Sequence, residues 1–217
     1  MPVLVYCMVQ PQANVVAPAR GVHDAEVEWL EESALRCFFS RLEGSYASGS
    51  ADALKEDALR FHSVLHAIFA QAAVIPFRFP TVLEPDELRR FLAEGAAGYR
   101  DGLARLRDVV QMELRISSSA AAIASPPSGR EYLLRRQAQA QALAEAAAAS
   151  RSAAGHLIQD WRERETRSGL RCYALVPRAE FGEFQARVRT FGALEGVTMV
   201  VSGPWPATEF LEVRVGA

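Results

Sequence analysis

The segment Val200-Val201-Ser202-Gly203-Pro204-Trp205-Pro206, near the end of the sequence, joins apolar residues to one glycine and two prolines. Around the start of this segment Val197, Met199 and Val201 alternate with polar or smaller residues, which is the pattern of a half-buried strand. The glycine and the two prolines then force that strand to stop and turn. The sequence therefore predicts a rigid corner that carries an indole ring at the end of a strand.

Three strands are predicted near the beginning of the chain. Val3–Val9 is almost continuously apolar, as expected for a central strand that is covered on both faces. The next two segments alternate in polarity and are separated by a turn near residues 31–33, so they predict a β-hairpin. The hairpin residues predicted to face the core are Val27, Trp29, Leu35, Cys37 and Phe39.

Two helices and a short strand follow. The first helix is predicted from Asp52, a suitable N-cap, to about Ala73, with apolar residues at helical spacing. The second helix is predicted to begin at Pro85, because proline and the acidic residues after it suit the first turn. Between the helices, the strand Ile75–Phe79 contains one proline and is followed by another. Proline cannot donate to a ladder, so this strand is predicted at a sheet edge.

A further strand at 110–116 shows the clearest alternation in the chain. Its apolar residues are Val110, Met112, Leu114 and Ile116, and polar residues stand between them. The element order up to this point is β-β-β-α-β-α-β. That order predicts a ferredoxin-like α+β domain over residues 1–118.

Residues 119–217 are predicted to form a second α+β domain that contains a long Ala-rich helix. Helix formers dominate from Gly129 to about Arg167, and a seven-residue repeat of mostly small apolar residues runs through Trp161. An unbroken helix of that length would measure about 55 to 60 Å, so we expect a break near 150–155. The remaining predicted elements are a strand at 170–176, a helix at 178–191, the strand at 197–202 and a possible edge strand at 210–215.

The composition limits the classes of protein and partner. The 217 residues carry a formal net charge of −2, so the overall field favours neither nucleic acid nor an anionic bilayer as a partner. The longest apolar runs are far shorter than the roughly 20 residues of a membrane helix, and no basic region precedes the first run. We therefore expect a cytoplasmic protein without a membrane span. Its cysteines, Cys7, Cys37 and Cys172, are predicted to be reduced and buried.

His62 and His66 have the spacing of metal ligands, four residues apart on a predicted helix. They fall at the margin of the apolar stripe, and no further ligand cluster is spaced to complete a site. We therefore predict neither a metal nor another cofactor. Phosphate-binding loops and nucleophile motifs are missing from the sequence as well, and Glu84, Asp86 and Glu87 are explained by a helix start. The sequence does not indicate an enzyme.

Arginines cluster at two places in the C-terminal half, within 130–136 and within 162–167. Glutamates are interleaved with them in both places. On a helix, such a mixture of charges is typical of solvated surface, and this is the interpretation we favour for both clusters.

Trp205 and the segment around Phe77 each admit two interpretations. If Trp205 belongs to the core, its replacement by alanine would cost roughly 3 to 5 kcal/mol; if it lies beside an open strand edge, it could anchor a partner. The prolines at 76 and 80 either protect an edge or border a docking site. The candidate partner-binding residues are Pro76, Phe77, Arg78, Phe79, Trp205 and Phe210.

Several segments, taken in order, resemble the accessory proteins of gas vesicle synthesis, the GvpF/GvpL family. They are the apolar first strand, the helix that carries His62, Val74-Ile75-Pro76-Phe77-Arg78-Phe79-Pro80-Thr81, the strand with Glu113, Gly129-Arg130-Glu131-Tyr132-Leu133, Ala174-Leu175-Val176-Pro177, and the corner Ser202–Pro206. The resemblance implies a noncatalytic gas vesicle assembly protein with a ferredoxin-like N-terminal domain and an α+β C-terminal domain. It also implies association with the small hydrophobic shell protein and with other accessory proteins, at the gas vesicle.

Two positions depart from the family pattern. Pro80 stands where the family usually has glycine before threonine, and Ala207-Thr208-Glu209-Phe210 stands where the family usually reads Pro-Tyr-Ser-Phe. The alternative hypothesis is therefore a diverged ferredoxin-like domain that binds a small ligand or acts as an enzyme, with His62 and His66 in its site. A third hypothesis is a scaffold that pairs through the Ala-rich helix.

Overall fold

The computed structural model describes residues 1–11, 14–44, 46, 49–118, 128–191 and 196–212. Internal contacts divide the chain into two compact units. The first is Met1–Arg107 together with Leu211 and the residues after it, and the second is Asp108–Phe210. Each unit combines helices with an antiparallel sheet, which confirms the predicted α+β class. The ferredoxin-like arrangement of the N-terminal domain stays a prediction.

The described residues of the first unit form one sheet and two α-helices. Its helices are α1 (Ala51–Phe69) and α2 (Pro85–Arg105). Its strands are β1 (Val3–Val9), β2 (Glu28–Glu32), β3 (Leu35–Arg41), β4 (Ile75–Pro76) and β5 (Val82–Leu83). The strand order is β2-β3-β1-β4, and β5 also pairs with β1. All of these pairings are antiparallel.

Strand β1 is the centre of this sheet, as the sequence predicted. All seven of its residues are buried, because helices cover both faces of the strand. On one face Tyr6 packs against Phe61 of α1, with 5.1 Å between the ring centres. On the other face Val5 and Met8 belong to the same core cluster as residues of α2. A bulge between Val5 and Cys7 shifts the register, so that odd-numbered and then even-numbered residues face α2.

The predicted β-hairpin is confirmed, but the prediction placed one side chain on the wrong face. Strands β2 and β3 meet at Ser33 and Ala34, whose φ angles of 52° and 59° both lie in the left-handed region. Trp29 does not face the core: its exposure is 55%, and the Arg36 guanidinium lies 4.6 Å from the ring centre. Leu30 packs against the core cluster instead. The reason is that α2 covers β2 on the face that carries Leu30.

Side-chain capping determines where the two helices of the first unit begin. Helix α1 is capped by Ser50, whose hydroxyl accepts a hydrogen bond from the Ala53 amide at 3.2 Å, so Asp52 lies inside the first turn and is not the cap. Helix α2 begins at Pro85 as predicted. There the Glu84 amide donates to the Glu87 carboxylate at 3.0 Å within a capping box. This confirms that the acidic residues at 84–87 start a helix.

One sheet and two α-helices are also found in the part of the second unit that the structure describes. Its helices are α3 (Gly129–Ala153) and α4 (Phe181–Phe191). Its strands are β6 (Val109–Ser118), β7 (Asp160–Thr166), β8 (Gly169–Pro177) and β9 (Val197–Trp205). The strand order is β7-β8-β6-β9, and every pairing is antiparallel. The chain order β-α-β-β-α-β is that of the split βαβ arrangement.

The predicted one-sided strand is confirmed, but its predicted sheet is wrong. Strand β6 pairs with β8 along one edge and with β9 along the other, so it is central to the second sheet and absent from the first. The contact boundary therefore lies at 107–108, before β6, whereas the sequence placed it after residue 118. Both partners of β6 lie more than fifty residues further along the chain, so local sequence carries no sign of them.

The long helix is broken where the sequence predicted, and the segment after the break is a strand. Helix α3 ends at Ala153, and a 3-10 turn follows at Gly155–Leu157. Residues 160–166 form β7, which pairs with β8 through a tight turn and carries Trp161 out of the predicted helical repeat. Phe210 lies in a 3-10 turn at Thr208–Phe210, which corrects the start of the possible last strand. Residues 213–215 of that strand lie outside the described residues.

Gly169 at the β7–β8 turn tests this arrangement. Its φ is +143°, and a Cβ atom there would lie 2.1 Å from the Ile116 carbonyl oxygen in β6. We expect Gly169→Ala to lower the free energy of unfolding by about 3 kcal/mol, through backbone strain and this clash. Chemical denaturation followed by circular dichroism measures the change.

Gly182 is the matched control, because a Cβ atom there meets nothing within 4 Å. Gly182→Ala lies inside α4 and should raise the stability by about 0.5 kcal/mol through helix propensity. Equal effects of the two substitutions would contradict the assigned β7–β8 turn.

Candidate functional site

The edge of the first sheet is built by the segment that the sequence singled out. Strand β4 pairs with Cys7 and Met8, and β5 pairs with Val3 and Leu4. Between them the Phe77 amide donates to the Tyr6 carbonyl at 2.9 Å, and the Val5 amide donates to the Thr81 carbonyl at 3.0 Å. The chain thus follows the whole edge of β1, and the segment lies at the end of the sheet, as predicted.

The four candidate residues in this segment have different surroundings. Phe77 is buried and lies 5.5 Å from the Phe91 ring of α2, so it belongs to the core. Phe79 points to the other face, 5.2 Å from Phe61, and is half-buried. Pro76 is half-buried as well, and Arg78 is exposed. Arg78 is therefore the most accessible member of this group, Pro76 and Phe79 are intermediate, and Phe77 is the least accessible.

A buried carboxylate lies near this edge, and the sequence did not indicate it. Asp57 of α1 is 8% exposed. Its Oδ2 accepts a hydrogen bond from the Tyr46 hydroxyl at 3.0 Å and lies 2.9 Å from His23 Nε2. The rings of His23 and Tyr46 stack at 5.8 Å, and the Phe79 ring meets Tyr46 edge-on. These residues are far apart in sequence and two of them lie in loops, so no periodic pattern joins them.

The surroundings of Tyr46 affect its ionisation. Burial, and then the hydrogen bond to the Asp57 carboxylate, raise the pKa of Tyr46 to about 12, because both disfavour the phenolate. His23 and Tyr46 also line an open cavity of about 660 Å³ together with Arg20, Arg41 and several carboxylates. Both signs of charge are present, so the cavity does not define one ligand class.

The histidine pair of the alternative hypothesis lies on the exposed side of α1. The rings of His62 and His66 are 6.2 Å apart, and both residues are exposed. Within the part of the chain that the structure describes, no group of three His, Cys, Asp or Glu side chains could hold a metal ion. The pair therefore has no third ligand among those residues.

The C-terminal corner ends the outermost strand of the second sheet. Gly203 has a φ of +121°, and a Cβ atom there would lie 2.9 Å from the Gln111 carbonyl oxygen, so glycine is required. The Gln185 side chain donates to the Gly203 carbonyl at 3.1 Å. The Trp205 indole N–H donates to the Ser202 hydroxyl at 3.4 Å, and Trp205 is half-buried. The indole is neither fully in the core nor fully exposed.

Phe210 is a core residue. It is buried, and the Arg162 guanidinium lies 5.0 Å from its ring centre. The segment that leads to it is tied to the sheet, because the Glu209 amide donates to the Gln111 side chain at 3.0 Å. A partner at the corner could therefore reach Trp205 more easily than Phe210.

The outer edge of β9 differs from the other edge of the same sheet. Strand β7 carries Arg162, Glu163, Arg164 and Glu165, whereas β9 has no charged residue from Val197 to Trp205. Val200 in β9 is 54% exposed. Among the described residues, no backbone hydrogen bond joins 197–201 to any strand except β6. Among the described residues, strand β9 is thus an uncharged edge whose backbone at 197–201 pairs with β6 alone, and an indole lies at its end.

Comparison with known proteins assigns the family. The family model for gas vesicle synthesis protein GvpL/GvpF matches residues 2–212. The chain belongs to the GvpL/GvpF family. Comparison with curated proteins gave no significant match. Within the described residues, no helix has the length and hydropathy needed to cross a bilayer.

Solved structures agree with this fold. The gas vesicle protein GvpF from Anabaena sp. PCC7120 matches with a TM-score of 0.79 at 12% identity, covering 100% of this chain and 98% of that one. GvpF from Microcystis aeruginosa matches with a TM-score of 0.76 at 13% identity, covering 98% and 99%. At such low identities the likeness shows the fold. Family membership supports a role in gas vesicle assembly.

The ionisation of Tyr46 is testable by alkaline titration. The raised folded-state pKa means that the neutral phenol favours the folded state below pH 10, and that this contribution is lost as the pH rises from 10 towards 12. Asp57→Asn removes the negative charge, so it should lower the pKa of Tyr46 towards its usual value. Ultraviolet difference spectra against Tyr46→Phe isolate this tyrosine.

Asp52→Asn removes a charge from the same helix, at an exposed position, and serves as the control. It should leave the Tyr46 titration unchanged. An unchanged titration in Asp57→Asn would contradict the assigned hydrogen bond.

Proposed function

We propose that this protein acts in gas vesicle assembly by holding the hydrophobic shell protein through the outer edge of β9. The observation that carries the proposal is the uncharged edge at 197–202, which ends at the Trp205 corner. Family membership supplies the process, and the edge supplies a surface suited to it. Other gas vesicle accessory proteins are further proposed partners, with the gas vesicle as the place of action.

The chemistry of an open edge supports this role. Backbone N–H and C=O groups at a sheet edge can pair with an extended segment of another chain. Most proteins discourage such pairing with charged side chains or proline, and β7 carries four consecutive charged residues. The same sheet leaves β9 without a charge before the corner. An apolar strand of a shell subunit could therefore pair there without losing the hydration of a charged group.

Trp205 supports the edge as an anchor. Its indole is half-buried and fixed beside a glycine and two prolines, so little conformational entropy is lost when a partner packs against it. The exposed Arg78 and half-buried Phe79 are proposed as a second contact, in the first unit. Phe77 and Phe210 are buried, and their proposed part is to support these contacts from below.

The edge is tested by placing a positive charge on it. Thr198 is exposed in β9, and Thr198→Lys introduces the type of residue that protects edge strands from pairing. Capture of purified shell protein on the immobilised protein should fall at least about fivefold, roughly 1 kcal/mol. Thr198→Gln introduces a side chain of nearly the same length as lysine but without the charge. This variant should capture as much shell protein as the wild type.

Equal capture by Thr198→Lys and Thr198→Gln would contradict the edge as the docking site. Failure of the wild-type protein to capture any shell protein would contradict the proposed function itself. A circular dichroism melt of each variant shows whether the fold is kept.

Trp205→Ala tests the anchor separately. Because the indole is half-buried, we expect a loss of about 2 kcal/mol in stability, below the range of a core tryptophan, and reduced capture of shell protein. Trp29→Ala removes an exposed indole from the first unit and should leave capture unchanged. Equal losses of capture in both variants would indicate nonspecific adhesion of indoles.

A further inference from the structure

The face of the second sheet away from α3 and α4 carries an unusual row of arginines. In the register of the sheet, Arg164 of β7 lies opposite Arg171 of β8, and Arg171 lies opposite Arg115 of β6. Val200 of β9 lies opposite Arg115 and ends the row. Residues directly opposite each other in a sheet share a face. We call Arg164, Arg171 and Arg115 the arginine row.

Helices α3 and α4 pack on the other face of the sheet. The contacts of the residues that alternate with the arginines along the strands show this. Met199 of β9 receives a hydrogen bond from Ser150 of α3 at 3.4 Å. Leu114 and Cys172 are opposite each other and buried, on the same side as Met199 by the two-residue period. The arginine row is out of phase with these residues. It therefore lies on the face that α3 and α4 do not cover.

Without a bound partner, the arginine row lowers the stability of the fold. Like charges directly opposite each other on neighbouring strands destabilise a sheet. Two carboxylates offset part of the repulsion. Glu113 lies 2.8 Å from Arg115 Nε and 3.7 Å from Arg171 Nε, and Glu209 lies 2.7 Å from an Arg164 nitrogen.

These contacts leave the three arginine side chains partly exposed to solvent. The side chains of Arg115, Arg164 and Arg171 are 58%, 61% and 43% exposed, while that of Glu113 is only 12% exposed. The Glu113 side chain is thus more deeply buried than the arginine side chains, and each guanidinium has five N–H donors, more than these contacts use. A guanidinium fork of this kind matches a carboxylate in bidentate fashion.

We propose that the arginine row binds an acidic segment of a partner protein. Neighbouring strands are about 4.8 Å apart, and side chains at i and i+4 of a helix are about 5 to 6 Å apart. A helix that carries carboxylates at i, i+4 and i+7 and lies across the strands can therefore meet the three arginines in turn. Each bound carboxylate relieves the repulsion within the row.

Charge and shape favour a protein segment over single-stranded nucleic acid. Proteins hold single-stranded nucleic acid with exposed aromatic rings on which the bases stack. The tyrosine beside the row, Tyr173, is buried, and the Arg164 guanidinium lies 5.8 Å from its ring centre. The net charge of the whole chain is −2, so no general field attracts a polyanion. The inference does not depend on binding of the shell protein.

The experiment uses the full chain and a labelled synthetic helical peptide with glutamates at i, i+4 and i+7. Fluorescence anisotropy at low salt should show binding, and a peptide with glutamine at the three positions should not bind. The double variant Arg164→Gln/Arg171→Gln should weaken binding about tenfold, as expected for two ion pairs. It should unfold no more readily than the wild type at the same salt, because repulsion is removed and Arg115 still faces Glu113.

Two controls match this variant. Arg130→Gln/Arg136→Gln removes the same charge from exposed positions on α3 and should change binding less than about twofold. Val200→Glu places a carboxylate opposite Arg115 and should weaken binding severalfold by occupying the row, whereas Val200→Gln should not. This pair separates occupation of the row from damage at β9.

The binding measurements either support or overturn the proposed acidic partner. Absence of binding to the glutamate peptide, or equal losses from the α3 control and the row variant, would overturn the proposal. Tighter binding of a single-stranded oligonucleotide through the same arginines would overturn it in favour of nucleic acid. Loss of binding in Val200→Glu together with retention in Val200→Gln would support an acidic partner.

Discussion

A strand with backbone partners on both edges organises each sheet of this protein, β1 in the first unit and β6 in the second. The side chains of such a strand must be apolar or find polar partners inside the fold, because burying an unpaired polar group is costly. Strand β1 meets this condition with buried, mostly apolar residues on both faces. Strand β6 meets it differently: Gln111 accepts a hydrogen bond from the Glu209 amide, and Glu113 lies beside two arginines. The central strands therefore determine what the neighbouring segments must supply.

Each sheet has strands at its edges, and the edge strands of this protein differ in how they are protected from pairing with another chain. Strand β2 carries charged residues that pair with β3, including Glu31 with Arg36. Strand β4 ends in Pro76, which has no N–H to offer. Strand β7 carries alternating charges. Strand β9 has none of these protections before its corner. This contrast within one molecule, more than the apolar character of β9 alone, is the reason for choosing β9 as the proposed docking surface.

Local pattern was enough to predict the elements whose chemistry is local. The apolar run at β1, the hairpin, the proline and acids at the start of α2, and the alternation along β6 all predicted the observed elements. The sheet that β6 joins and the inward face of β2 depend on partners distant in the chain, and there the sequence misled. The sequence left two interpretations of Trp205 open, and its half-buried indole at the end of β9 lies between them. The hydrogen bonds that join His23, Tyr46 and Asp57 bring together loops and a helix, for which no spacing rule exists.

The most consequential error concerned β7, because secondary structure decides how a charged sequence presents itself. On a helix, the alternating arginines and glutamates at 162–165 would mix on a solvated surface. On a strand, successive side chains point to opposite faces. Arg162 and Arg164 then lie on one face, while Glu163 lies on the other, where it accepts a hydrogen bond from the Trp161 indole at 2.7 Å. The sheet register adds Arg171 and Arg115 to the arginine face. A segment that is neutral in composition thereby contributes to a concentrated row of positive charge, which neither its composition nor its helix propensity could indicate.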